Sequence, residues 1–217
     1  MSGVRLDRAG DVCILHLGDG ENRFDRAFVD GVLAALEQVA ADGGALVTTA
    51  SGKIWSNGLD LDWMGSSGAG LEFVRDVQRM MARVLLLPVP TVAAVGGHAF
   101  AGGAMLALAH EVRVMRADRG FFCLPEVDIG LPFTPGMAAL VQCRMPTGAV
   151  LRDAAVYGLR IGGADAAARG IVDDAVAADN VLPRALERAR ALAGKDRATL
   201  GLIKERFYGH VAAALTA

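Results

Sequence analysis

Two glycine-bearing segments carry the clearest chemical signal in the sequence. The letters SNG at 56–58 follow an apolar, strand-like run, and AGG at 101–103 opens a run typical of a buried helix. Glycine costs a helix interior about 1 kcal/mol relative to alanine, so Gly102 and Gly103 need a reason. Each segment can offer a backbone N–H group to one oxygen anion, and a helix N-terminus adds a favourable dipole. The pattern predicts an oxyanion hole.

A single carboxylate is the natural partner of such a hole. Glu126 comes directly after Pro125 in the stretch CLPEVDIGLPF, among apolar residues. Burial in an apolar wall raises the pKa of a carboxyl group and makes the carboxylate a stronger proton acceptor. Asp128, two residues further along, is expected to be a structural or solvated acid. Glu126 is therefore the predicted base.

Alternating strands and helices must position these groups. Apolar patterns predict strands over 12–17, 45–51, 91–97 and 112–117, helices over 25–41 and 71–87, and a helix that starts at Gly103. Strand-helix-strand alternation favours an α/β fold with parallel strands, whose carboxyl ends usually bind ligands. Residues 1–180 are expected to form this core, and residues 181–217 a C-terminal helical segment.

Composition excludes several classes of partner. The chain has 217 residues, 53% of them hydrophobic, and a formal net charge of -2, so no basic field attracts nucleic acid or an anionic membrane. Its three cysteines lack metal-ligand spacing and suit free thiols of a reducing cytoplasm. No signal peptide or 20-residue apolar span is apparent. We therefore expect a cytoplasmic protein without a metal.

Four motifs in order resemble one known family. WSNGLDL, GHAFAGGAMLALAHEVRVM, LPEVDIGL and AVYGLRIGGADAAARGIVDDAV are similar to the enoyl-CoA hydratase/isomerase (crotonase) family, and the similarity runs from about Val4 to LIKERF. The resemblance implies a crotonase-like spiral of β-β-α units with a helical C-terminal layer. It also implies a coenzyme A thioester as substrate, no separate cofactor, and a homotrimer or dimer of trimers.

The resemblance also assigns roles to residues. It implies that the backbone N–H groups of Asn57 and Gly102 hold the thioester oxygen, that Glu126 is catalytic, and that the glycines let the backbone approach the substrate. Met105 stands where hydratases of the family have their first glutamate. Further substrate-binding residues are expected at Ser56, Gly58, Leu59, Asp60, Trp63, Ala101, Gly103 and Phe133.

One base without a second carboxylate suits a proton shuttle better than the addition of water. The motifs look most like those of delta(3)-delta(2)-enoyl-CoA isomerases, which implies conversion of 3-enoyl-CoA to trans-2-enoyl-CoA in fatty acid β-oxidation. Two alternatives stay open: another acyl-CoA reaction on the same fold (hydratase, thioesterase or decarboxylase), or a non-catalytic acyl-CoA-binding scaffold. His98 and His110 accompany no G-x-S-x-G nucleophile and are expected to be structural.

Overall fold

Strands and helices alternate along the chain, as expected for an α/β protein. The computed structural model describes residues 3–217. The strands are β1 (Arg5–Ala9), β2 (Val12–His16), β3 (Arg23–Phe24), β4 (Ala45–Thr49), β5 (Ile54–Ser56), β6 (Gly58–Leu59), β7 (Thr91–Val95), β8 (His98–Phe100), β9 (Val112–Arg116), β10 (Phe121–Cys123), β11 (Ile161–Gly162) and β12 (Asp174–Val176).

The helices separate and cover these strands. They are α1 (Arg26–Asp42), α2 (Leu61–Ser67), α3 (Leu71–Leu85), α4 (Gly102–Ala109), α5 (Pro135–Arg144), α6 (Ala149–Leu151), α7 (Gly163–Ala168), α8 (Val181–Leu192) and α9 (Arg197–Thr216). A π-helical turn, Arg152–Val156, continues α6, and a 3-10 turn, Ala178–Asn180, precedes α8. Every predicted helix lies within one or two residues of its expected bounds.

Three sheets organise the strands. The largest has the order β1-β2-β4-β7-β9-β12, with an antiparallel β1–β2 hairpin and parallel pairs beyond it. The second has the order β11-β10-β8-β5, in which β5, β8 and β10 run parallel. The third joins β3 and β6. All residues of β4 and β7 are buried, which explains their continuous apolar sequences.

The two C-terminal helices pack against different parts of this core. Helix α8 begins at Val181, the expected start of the C-terminal segment, and its buried residues Val181, Ala185 and Ala189 join a separate apolar cluster on the six-stranded sheet. Helix α9 packs against α3 and α5. The two helices thus cover both the sheet and the helical layer.

Some elements were not expected from the sequence. Strand β1 carries three charged residues in five, and its pairing with the buried strand β2 is what makes it a strand. Strands β3 and β6 are two residues long, which is too short for an alternating pattern of apolar residues to predict them. The helix α5 was also missed, although Thr134 caps it and Pro135 starts it.

Candidate active site

Strand register brings the three predicted chemical segments together. The parallel strands β5, β8 and β10 are neighbours, with Ser56 opposite Ala99 and Cys123 opposite Phe100. The Ala101 N–H group donates to the Cys123 carbonyl oxygen at 3.0 Å. The segments that follow these strands, at 56–58, 101–103 and 124–126, therefore meet at one edge of the sheet.

The glycines allow two backbone segments to press against each other. Gly58 has φ +76°, and a Cβ atom built on it would lie 2.6 Å from the Gly102 nitrogen. A Cβ atom at Gly103 would overlap the Ser56 carbonyl, and one at Gly102 would lie 3.0 Å from the Phe24 ring. The expectation that substrate alone requires these glycines is therefore incomplete, because the protein's own backbone already fills the space.

The N-terminus of α4 faces this contact with free amide groups. The first i to i−4 hydrogen bond of the helix runs from Met105 N–H to Ala101 O at 3.1 Å, so the Gly102 N–H group has no acceptor within the helix. Ala101 precedes it with φ +49°, a left-handed conformation that costs a non-glycine residue about 1–3 kcal/mol. Such strain concentrates at functional sites, and here it aims the start of α4.

The predicted donor role of the Asn57 N–H group is contradicted by a hydrogen bond. This N–H group donates to the Glu21 carbonyl oxygen at 3.1 Å. The next amide, that of Gly58, donates to Ser56 Oγ at 3.1 Å. The reason is tertiary: residues 21 and 22 lie against this segment, which the sequence does not reveal. The side chain of Asn57 nevertheless lines the adjacent cavity.

A cavity of about 460 Å³ opens beside Gly102. Its walls come from the 57–61 segment, α3, the start of α4 and the loop before α5. The lining residues are Asn57, Leu59, Leu61, Leu71, Val74, Val77, Ala101, Gly102, Met105, Glu126, Ile129, Leu131, Pro132, Phe133, Thr134 and Met137. Of the predicted site residues, Asn57, Leu59, Ala101, Gly102, Glu126 and Phe133 are in this set.

The other predicted residues surround the cavity instead of lining it. Ser56 is fully buried, and Gly58 and Gly103 belong to the backbone contact described above. Asp60 caps α2, because its Oδ1 atom accepts a hydrogen bond from the Trp63 N–H group at 3.0 Å. The Trp63 ring packs edge-on against Phe73, with ring centroids 4.7 Å apart. These side chains therefore support the cavity walls.

Among the described residues that line the cavity, Glu126 is the one ionisable residue. The loop after β10 turns tightly, with Asp128 N–H donating to Pro125 O at 2.9 Å, and leaves Glu126 only 7% exposed. Burial raises the pKa of its carboxyl group to about 7, although a hydrogen bond from its own backbone N–H opposes the shift. Its Oε2 atom is buried without a hydrogen-bond partner in residues 3–217. A carboxyl group in this state is a competent proton acceptor near neutral pH.

Met105 closes one wall of the cavity, at the position where the resemblance implies a second carboxylate in hydratases. Its side chain is 2% exposed and lines the wall. Asp128 is exposed at the surface. Glu111, at the other end of α4, lies 2.6 Å from Lys204 Nζ in an ion pair. Neither acid reaches the cavity from these positions.

A second cavity of about 420 Å³ adjoins the first and shares Asn57, Ala101 and Ile129 with it. His98 and the basic residues Lys53 and Arg160 also line this second cavity. Burial lowers the pKa of His98, and the positive charges of Lys53, Arg119 and Arg160 lower it further. The sequence pattern predicts a structural role for His98 and gives no signal for Arg160, because only the β10–β11 pairing brings residue 160 here. This cavity therefore favours anionic groups.

His110 fits its predicted structural role. It is fully buried, with Nδ1 2.9 Å from Leu106 O and Nε2 2.8 Å from Thr48 Oγ1.

In the described residues, 3–217, no group of three or more His, Cys, Asp or Glu side chains could hold a metal ion. Over the same range, no helix is both long enough and apolar enough to cross a membrane.

Known proteins are similar to this chain in both sequence and fold. The family model described as enoyl-CoA hydratase/isomerase matches residues 8–217. Enoyl-CoA delta isomerase 3 of Arabidopsis thaliana is 39% identical over 201 residues, which cover 88% of this chain and 84% of that protein. The peroxisomal enoyl-CoA delta isomerase 2 of the same plant is 40% identical over 181 residues, covering 78% and 75%.

Solved structures agree with the sequence relatives. The probable enoyl-CoA hydratase EchA3 of Mycobacterium tuberculosis superposes with a TM-score of 0.90 at 28% identity, over 98% of this chain and 91% of that one. An enoyl-CoA hydratase/isomerase family protein of Pseudomonas syringae gives a TM-score of 0.92 at 25% identity, over 98% and 93%. With its family match, its close relatives and this shared fold, the chain belongs to the enoyl-CoA hydratase/isomerase family and has the crotonase fold of these enzymes.

Proposed function

We propose that this protein isomerises 3-enoyl-CoA to trans-2-enoyl-CoA. The observation that carries the proposal is Glu126, a single ionisable group in a mostly apolar cavity, beside the N-terminus of α4. With its pKa raised to about 7, this group is ready both to take up and to return a proton near neutral pH. The plant relatives named enoyl-CoA delta isomerase support the same reaction.

The proposed reaction moves one proton and one carbon–carbon double bond. The Glu126 carboxylate takes a proton from C2 of the substrate, and the electron pair of that C–H bond passes into the conjugated system, so the thioester oxygen gains negative charge. The protonated Glu126 then gives its proton to C4, and the double bond settles between C2 and C3. Substrate and product have the same atoms, and neither water nor a redox cofactor takes part.

Two backbone N–H groups stabilise the negative oxygen in this proposal. The first is that of Gly102, which has no acceptor within α4. The second is the N–H group of Leu59, which takes the donor role that was predicted for the N–H group of Asn57. Successive N–H groups in an extended segment point to opposite sides, and the Asp60 N–H group donates to Phe24 O on β3 at 3.1 Å, so that of Leu59 points away from β3. Leu59 also lines the cavity.

The alternative acyl-CoA reactions fit this cavity less well. Hydration of a double bond in this family uses two carboxylates, and Met105 occupies the wall where the second would be. Hydrolysis and decarboxylation use water or lose a carboxylate from the substrate, and an apolar cavity with one carboxyl group offers little to either. A scaffold without activity would have no use for a buried carboxyl group, which costs stability when it ionises.

The second cavity suits the coenzyme A part of the substrate. Lys53 and Arg160 present positive charge there, and the cavity meets the first one at Asn57 and Ala101. In this arrangement the acyl chain occupies the apolar cavity and the thioester lies at the junction. Coenzyme A enters as part of the substrate, and we propose fatty acid β-oxidation as the setting.

We also propose that the protein acts as a homotrimer or a dimer of trimers. Large apolar side chains are exposed on the loop after Glu126 and near the π-helical turn: Val127, Ile129, Leu131, Val156, Tyr157 and Leu159. Contiguous apolar surface of this kind is typical of contacts between proteins. Light scattering coupled to size-exclusion chromatography measures the mass directly, and a monomer at micromolar concentration would contradict this proposal.

The isomerase reaction is tested by following conjugation of the double bond. Trans-3-hexenoyl-CoA and longer 3-enoyl-CoAs are mixed with wild type and with Glu126→Gln, and the rise in ultraviolet absorbance of the conjugated thioester is recorded. Because a positioned base contributes about 10²- to 10⁴-fold, Glu126→Gln should lose activity by that factor. Glu37→Gln, a change at an exposed glutamate on α1, is the matched control. An inactive wild type, or an active Glu126→Gln, overturns the proposal.

A further inference from the structure

A bulge at the end of β5 shapes the segment that faces α4. In the pairing of β5 with β8, Ile54 lies opposite His98 and Ser56 opposite Ala99, so three residues on one strand meet two on the other. Such a bulge bends the strand and leaves backbone groups outside the ladder. The carbonyl oxygens of Ile54 and Trp55 both need other partners here.

The side chain of Asn22 supplies both of these partners. Its Nδ2 atom donates to Ile54 O and to Trp55 O, each at 3.1 Å. Asn22 holds this place with φ +50°, a left-handed conformation that asparagine tolerates better than most residues. A Cβ atom on Gly18 would lie 2.6 Å from Asn22 Oδ1, so the adjacent glycine leaves room for the amide.

A second connection runs from Asn22 through Ser56 to Gly58. The Ser56 hydroxyl donates to Asn22 O at 2.8 Å, and its Oγ atom accepts from the Gly58 N–H group at 3.1 Å. The side chain of Ser56 is buried, so these bonds are not exchanged with water. Gly58 in turn packs against the Gly102 nitrogen. Each link therefore helps to set the position of the next.

We propose that Asn22 is a positioning residue for the oxyanion hole, one that acts through Ser56 and Gly58 on the N–H groups of Leu59 and Gly102. The inference rests on the proposed function of those two N–H groups. Asn22 itself does not line the cavity, and its place in the turn GDGEN gives no chemical signal in the sequence. Its loss should weaken stabilisation of a negative thioester oxygen specifically, since a misplaced donor is worth much less than an aligned one.

The test uses a ligand whose absorbance reports on the hole. A 3-oxoacyl-CoA ionises to an enolate that absorbs in the near ultraviolet, and donors at the thioester oxygen increase the enolate fraction. Asn22→Gly keeps the left-handed backbone and its carbonyl group but deletes the amide. We expect its bound ligand to form about tenfold less enolate than in wild type, with a comparable fall in kcat for isomerisation and a smaller change in KM.

Two controls separate positioning from general destabilisation. An alkyl-CoA thioether lacks the thioester carbonyl oxygen, so its Kd should change less than twofold in Asn22→Gly. Val181→Ala removes buried atoms from the apolar cluster under α8, far along the chain from the site, and should lower the melting temperature while it keeps the wild-type enolate fraction. Ser56→Ala breaks the second connection and should lower the enolate fraction as Asn22→Gly does. If Asn22→Gly does not fold, Ser56→Ala alone tests the proposal.

The outcomes are distinct for the two proposals. If wild type forms no extra enolate, the oxyanion hole of the proposed function fails, whatever Asn22 does. If wild type forms it and Asn22→Gly and Ser56→Ala form as much, the positioning role is overturned. Equal losses of thioether affinity and enolate fraction would also overturn it, because a general structural defect explains both.

Discussion

A methyl group added at Gly58 should separate the two halves of the proposed oxyanion hole. Gly58 has φ +76°, and its new Cβ atom would lie 2.6 Å from the Gly102 nitrogen and 3.0 Å from its Cα atom. Real Cβ atoms do not approach a backbone nitrogen so closely, so the 56–58 segment or the start of α4 must move by several tenths of an ångström. Either movement displaces an N–H donor.

The expected losses have two parts that a matched variant separates. A left-handed backbone costs an alanine about 1–2 kcal/mol, and this part applies equally to Gly10→Ala, where φ is +66° and no atom lies within 4 Å of the new Cβ. Only Gly58→Ala should add the overlap. Because loss of one donor lowers kcat by about 10²- to 10³-fold, we expect an activity loss of that order in Gly58→Ala and none per folded molecule in Gly10→Ala.

Both effects are measured on the same samples. Urea unfolding followed by circular dichroism gives the free energies of unfolding, and the conjugation assay gives kcat per folded molecule. If folded Gly58→Ala isomerises 3-enoyl-CoA within threefold of wild type, the glycine contact does not place the donors, and the reasoning is refuted. A binding measurement with an alkyl-CoA thioether shows whether the cavity itself stays intact.

Three further predictions concern the buried ionisable groups Glu126 and Lys204. In the proposed reaction Glu126 acts as a carboxylate, and burial raises its pKa to about 7, so kcat/KM should rise with pH and reach half its plateau near pH 7. A rate that is flat from pH 5 to pH 9 would contradict this. The folded pKa lies above the ordinary value of 4.5, so the wild type should lose stability relative to Glu126→Gln as pH rises from about 4.5 to about 7, as unfolding at each pH would show. Lys204 is 2% exposed and its Nζ donates to Leu87 O and Val89 O at 2.7 Å each, beside Glu111. Lys204→Met should therefore lower the free energy of unfolding in urea by about 3–5 kcal/mol, with kcat per folded molecule unchanged. Adding Glu111→Gln to the same chain should restore part of that free energy. A loss under 1 kcal/mol would show that Lys204 and Glu111 do not form a buried ion pair.

The sequence by itself determined the main elements and the chemical groups. Helical spacing of apolar residues located α1 and α3, and the continuous apolar run at 91–95 located β7, because buried faces impose their period on the sequence. The sequence also singled out Glu126 and the glycines of α4, since a lone carboxyl group among apolar residues and glycines at a helix start are both unusual. The family resemblance rests on these same residues and is confirmed by the match over residues 8–217.

Only the tertiary structure decided which atoms meet. The Asn57 N–H group was expected to be a donor, but it bonds to Glu21 O, a partner 36 residues away in sequence. Trp63, predicted to bind substrate, packs on Phe73 and is not among the residues that line the cavity. Arg160 reached the second cavity, and Asn22 reached the bulge of β5, through strand pairings between distant segments. Periodicity records whether a residue is buried, whereas hydrogen-bond partners depend on the distances between segments that only the folded chain brings together.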